Sequence, residues 1–259
     1  FQFLMPARYV AAGEVDLRSL PRNLDSISLR MAALVYHELA HANDFYPPAS
    51  LASINRTVPM HQAVLTGSRP SNLLQGAFPL TSTLMARLAG VSFGGNTAQS
   101  SDRGLLAADI GAEFPLDVAN DFYNYSSVRE DLAMLFEEAM MFYSFGIARD
   151  VAVTNLPAEL TSCEQLVVAW GERNRLAHPA IQARVQLVLD KVLPEFAAPL
   201  EQRLASLVPL PMRVGEDFCA NIALNMPAPA ALQRPSSQLG AQLVRANPNL
   251  LPEKFLPYL

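Results

Sequence analysis

The chain has 259 residues, of which 51% are hydrophobic and only 17% charged, enough to bury a substantial core as one large domain or two small ones. A net charge of −5, with lysine confined to Lys191 and Lys254, excludes a basic nucleic-acid-binding surface, and no nucleic-acid partner is expected. No apolar run approaches the roughly 20 residues of a membrane span, so no spanning segment is expected either.

Candidate strands open the chain at residues 1–4 and 8–12, interrupted by Pro6 and Gly13. A helix is predicted over 27–43, capped by Asp25 or Ser26, free of Gly and Pro, and stopped by Pro47-Pro48. Its residues are apolar nearly all the way round, which predicts deep burial. Within it stands His37-Glu38-Leu39-Ala40-His41, the H-E-x-x-H pattern, holding two of the chain's four histidines.

Helix geometry explains why that spacing suits a metal. Residues four apart differ by roughly 40° around the axis, so His37 and His41 point the same way and can share one ion. Glu38 leans to the side of the pair, where it is no ligand. A catalytic zinc takes three protein ligands and leaves a position for water, whose proton such a carboxylate can accept. The alternative for the pair is two core histidines satisfied by nearby carbonyls. Asp44, one turn beyond His41, either accepts the second ring N–H of a ligating histidine or faces water near the helix end.

Residues 45–125 carry Pro47, Pro48, Pro59, Pro70, Pro79, Gly94-Gly95 and Pro115 and read as a long irregular stretch walling a cleft. One helix is predicted there over 82–89, and a flexible loop over 92–96. His61 reads as a loop residue. A second long helix begins at Ser127 and continues through Phe142. Glu130 lies in its first turn, either as half of a Ser127-x-x-Glu130 capping box or as the third ligand; Glu137 lies two turns further on a similar face, and the alternative for it and for Glu138 is a solvated residue. Thr161-Ser162-Cys163-Glu164 predicts a further helix to about Leu176. Next, His178-Pro179 marks a helix end, and an apolar face runs over 181–193. The Pro-rich tail from Pro194 reads as an ordered wrap over the helices. Cys163 and Cys219 form one disulfide in an oxidising compartment or stay as buried thiols in a reducing one.

The third ligand has few candidates. The metzincin pattern needs Gly and His where this chain has Asp44 and Pro47, so that branch is excluded. Glu113, in Glu113-Phe114-Pro115-Leu116-Asp117, mimics the E-x-x-x-D of thermolysin-like enzymes, but Pro115 breaks the helix that motif needs.

The stretch from His37 to Asp44, followed much later by Tyr123-x-Tyr125-Ser-Ser-x-Arg-Glu130-Asp131-x-Ala133, resembles the glutamate-liganded zincins. Its nearest likeness is to the branch of the Mlc titration factor peptidases and the anthrax lethal-factor catalytic domain. The resemblance implies that Glu130 completes a zinc site with His37 and His41. It also implies that Glu38 activates water, and that Tyr123, or Tyr125 as its neighbour, assists the transition state. Asp131-Leu132 replaces the aromatic pair of that branch, and Met134 stands where lethal-factor-like chains carry another glutamate.

The fold expected is a mostly helical α+β, zincin-like metallopeptidase with an active-site helix and a small sheet. Residues 1–150 would form the catalytic core and 151–259 a helical part packed on it. The function expected is zinc-dependent hydrolysis of peptide or protein substrates; the alternative is an inactive zincin-like binding protein. Because the chain begins at Phe1 it reads as a mature or trimmed product. By analogy with stand-alone zinc peptidases, export to a periplasmic or extracellular space is expected over the cytoplasm.

Overall fold

The computed structural model describes residues 1–11, 13–64 and 69–224. The last part of the tail expected to wrap the helices, and Ala12 of the second candidate strand, lie outside these residues. The architecture is mostly helical α+β. Two strands at the start, β1 (Phe3–Leu4) and β2 (Ala7–Ala11), are joined by β3 (Val15–Asp16), β4 (Ala148–Asn155), β5 (Val168–Arg173) and β6 (Leu210–Pro211). The sheet runs in the order β3-β2-β4-β5-β6, antiparallel throughout, with β1 paired to the far end of β4. Pairing of Ala7 with Val151 and Val10 with Ala148 sets the register that carries Tyr9 toward the helices.

The helices are α1 (Leu24–Phe45), α2 (Met60–Ala63), α3 (Pro70–Ala77), α4 (Thr83–Ser92), α5 (Ser100–Arg103), α6 (Ala107–Glu113), α7 (Val128–Phe145), α8 (Pro179–Val192) and α9 (Ala197–Leu204). Helix α7 is the hub, buried on every side from Asp131 to Phe142. Leu132, Leu135, Phe136 and Ala139 pack with Leu74 of α3, Ile181, Val185, Val188 and Val192 of α8, and Leu200 of α9. Gly146 ends it in the left-handed region at φ 65°, where its N–H reaches back to the carbonyls of Met141 and Phe142 and the chain turns into β4. No helix among the described residues is long and apolar enough to cross a membrane.

Several expectations need correction. Residues 45–125 are not a long loop: α2 to α6 and three short 3-10 turns occupy them, because the prolines at 48, 70 and 115 sit in first turns, where a missing N–H costs nothing. His61 lies on α2 and is exposed. The helix predicted from Thr161 to Leu176 is absent. Ser162 caps only a single 3-10 turn at Cys163–Gln165, and the chain then extends as β5 against β4. Long-range strand pairing overrides the local capping signal there.

Deep burial of α1 is also overturned. One face, with Leu29, Ala33, Tyr36, Ala40 and Asp44, packs on α7, β2 and α3. Leu24, Ile27, Met31, Leu34, Val35 and Leu39 on the other side are exposed. An apolar pattern on all sides does not say which side has neighbours.

Charge is buried where helices meet. Asp131, which replaces an aromatic residue of the resembled pattern, accepts from Arg184 and from the Asn124 amide. Arg184 also donates to the Val118 and Phe78 carbonyls, clamping α8 to α7 and to the segment before it. In the sheet, Asp150 is buried between Arg8 (2.9 Å) and Arg173 (2.6 Å). A disulfide joins Cys163 to Cys219, 56 residues apart with Cα atoms 5.4 Å from each other. Closing a loop of that size stabilises by about 4 kcal/mol on the chain-entropy account.

Candidate metal centre

Helix α1 starts one turn earlier than its sequence suggests. Asn23 is the cap, accepting from the Ser26 N–H at 2.9 Å, and the Ser26 hydroxyl accepts from the Asn23 N–H in return. Ser26 is thus the reciprocal partner, and Asp25 merely places a negative charge in the first turn. From this start the helix runs unbroken past His37 and His41, whose rings lie 4.9 Å apart at 82° to each other.

Helix α7 passes antiparallel to α1. Glu130 at its start meets His37 and His41, Glu137 meets His37, and Ser144 near its end meets Tyr36. Ser127 caps α7 by accepting from the Glu130 N–H at 3.2 Å. Only the backbone of Glu130 takes part in that cap. Its carboxylate turns to the histidines, with Oε2 2.9 Å from His37 Nε2 and 3.3 Å from His41 Nε2. One ligand atom from each of His37, His41 and Glu130 fits within a 4.8 Å span. Two imidazole nitrogens and a carboxylate oxygen, partly buried and so close together, are a donor set that zinc accepts. They could hold such an ion and leave a side open to solvent.

The remaining ring nitrogen of His37 lies 2.9 Å from Glu137 Oε2. That hydrogen bond is the largest cause of a raised His37 pKa, with burial opposing it and Glu130 adding to the rise. Glu137 is buried, not solvated, and its other oxygen accepts from the Tyr9 hydroxyl at 2.6 Å. Arg149 stands 3.8 Å from Glu137, donates to Asp121 and covers the Tyr9 ring. Glu138 is likewise buried. Its pKa is pushed up to about 8 by burial, against the charge of Arg149 and the hydrogen bond from Asn120.

Glu38 is exposed on α1 between the two histidines in sequence. Tyr123 stands in a 3-10 turn just before α7, its ring 6.2 Å from that of His37 and braced edge-on by Phe93 at 4.9 Å. Burial and then the negative charge of Glu130 hold its phenol above the ordinary range, opposed by the Ser126 hydroxyl. Tyr125 points elsewhere: it is buried and bonded to Asp117 at 3.0 Å, inside a cluster with Phe114.

Asp44 does not serve a histidine. Fully buried, it accepts from the backbone N–H of Ser71 at 2.7 Å and from the Ser71 hydroxyl at 2.8 Å, tying α1 to the start of α3. Glu113 accepts from Ser82, outside the histidine cluster. His178 caps α8, its Nδ1 accepting from the Ala180 N–H. Tyr9 and Arg149 are the site-bordering residues that the sequence did not single out, while Glu137, which the sequence places on a similar face of the helix to Glu130, meets the outer nitrogen of His37. No protein-family model, curated protein or solved structure matches this chain.

Proposed function

We propose that this chain is a zinc-dependent peptidase that hydrolyses peptide bonds with water, in the manner of the glutamate-liganded zincins it resembles. The observation that carries this reading is the convergence of His37, His41 and Glu130 from two helices within 4.8 Å, with Glu38 next to the first histidine. His37, His41 and Glu130 would hold the ion. When bound there, zinc supplies Lewis acidity, polarising a substrate carbonyl and making water a nucleophile near neutral pH.

The chain's own groups supply the rest. Glu38, exposed and adjacent to His37, takes the proton from the attacking water and passes it to the leaving amine, as a general base and then acid. Tyr123, whose ring lies 6.2 Å from that of His37, donates to the oxygen on which negative charge develops. The Cys163–Cys219 disulfide supports placing the enzyme in an oxidising, exported setting.

A broad peptide library tests the reading directly. Cleavage is expected from the zinc-loaded protein, lost after chelation and restored by added zinc. Cleavage that survives thorough metal removal contradicts it, and a zinc-loaded protein that binds peptides without cutting any is the inactive alternative.

A further inference from the structure

We infer that Glu137, held in place from the sheet by Tyr9 and Arg149, is the positioning residue that fixes the His37 ring for metal binding. This rests on the proposal that His37, His41 and Glu130 hold zinc. The antiparallel crossing of α1 and α7 places His37 between two carboxylates two turns apart, Glu130 on its Nε2 and Glu137 on its Nδ1, each at 2.9 Å. An ionised carboxylate only accepts hydrogen bonds, so Nδ1 carries the proton that faces Glu137. Nε2, the nitrogen facing Glu130 and His41, would exchange its own contact with Glu130 for an ion, giving up its proton and offering its lone pair while Nδ1–H stays on Glu137.

Glu137 is itself fixed from a different part of the fold. Tyr9, on β2, donates to its Oε1 at 2.6 Å, so the two carboxylate oxygens are shared between a strand and a helix. Arg149, at the start of β4, adds positive charge at 3.8 Å and stacks on the Tyr9 ring. A strand, a helix and a histidine are thereby linked by charge-assisted hydrogen bonds in a buried setting, which restrains ring rotation more firmly than a flexible surface partner could. Met134, one turn after Glu130, offers no carboxylate, and Asp44 is committed to α3. Among these candidates, Glu137 is the carboxylate in contact with a ring nitrogen that faces away from the cluster.

The test is zinc affinity, measured by chelator competition on the full chain for wild type, Glu137→Gln and Tyr9→Phe, with thermal unfolding of each metal-free protein alongside. A Co2+-loaded sample of each supplies a ligand-field absorption spectrum. Glu137→Gln is expected to weaken zinc binding about 10–100-fold and to shift the cobalt spectrum, at little change in the unfolding temperature of the metal-free protein. Tyr9→Phe is expected to do the same more weakly, by about 3–10-fold, because Arg149 still holds Glu137. A purely structural role for Glu137 would lower the unfolding temperature and leave the zinc affinity of the folded protein and the cobalt spectrum unchanged, which overturns the inference. If Glu137→Gln does not fold, Tyr9→Phe decides: zinc affinity within twofold of wild type overturns it, and weakening in the expected range supports it. A wild type that binds no zinc overturns the metal reading and this inference together; a wild type that binds zinc beside an unaffected Glu137→Gln overturns this inference alone.

Discussion

Glu38→Gln is expected to lower peptide cleavage by about 10²–10⁴-fold while zinc content stays at the wild-type level. Glutamine keeps the size and hydrogen-bonding shape of the side chain and removes the basicity. Glu38 lies outside the His37–His41–Glu130 cluster, so the donor set is intact in the variant. The measurement pairs kcat/KM on a cleaved library peptide with metal analysis of the same preparation. Full activity in Glu38→Gln would remove it as the base, and a loss of activity accompanied by loss of zinc would assign it a different role.

The largest expected effect on stability falls in the sheet. Asp150→Ala leaves the guanidiniums of Arg8 and Arg173 buried without their common carboxylate. Removing one partner of a buried ion pair costs about 3–5 kcal/mol, and two stranded cations place this variant at the upper end. Since folded domains are stable by only about 5–15 kcal/mol, the variant should unfold at much lower urea or not accumulate at all. Arg173 keeps its hydrogen bonds to the carbonyls of Ile222 and Leu224, so the charge left with fewest partners is that of Arg8. A loss under about 1 kcal/mol in urea titration would show that water reaches these arginines.

What the sequence made legible, and what it hid, follows the range of the interactions involved. His37 and His41 could be placed on one face because their relation is set inside a single helix turn. Helices α4, α7 and α8 could be read from caps and local apolar spacing. The zincin resemblance drew Glu130 toward the pair from a helix far along the chain, and the structure brings the three together. Its two readings also resolve: the Ser127 side chain caps the Glu130 backbone while the Glu130 carboxylate turns to the histidines.

The misreadings concern contacts between distant segments. Val168–Arg173 has a good capping box before it and becomes a strand because β4 is there to pair with. Glu137 could be placed on a similar face to Glu130, but its role, site residue or solvated side chain, was set only by the crossing of α1 and α7, which turns it to His37, and by the sheet, which brings Tyr9 to its other oxygen. Asp44 stood within reach of a histidine in the helix, yet the start of α3 takes both its oxygens. An apolar pattern round α1 suggested burial on all sides, whereas only one side meets α7, β2 and α3.

Zinc titration of the metal-free protein, with the bound metal counted per chain, tests the His37–His41–Glu130 centre itself when wild type and Glu130→Gln are compared. One zinc per chain is expected for wild type. Glu130→Gln should bind it more weakly by a factor beyond the roughly 10–100-fold expected of a residue that only orients a ligand. A wild type that binds no zinc would overturn the metal site, and a Glu130→Gln that binds it as tightly as wild type would remove Glu130 as a ligand.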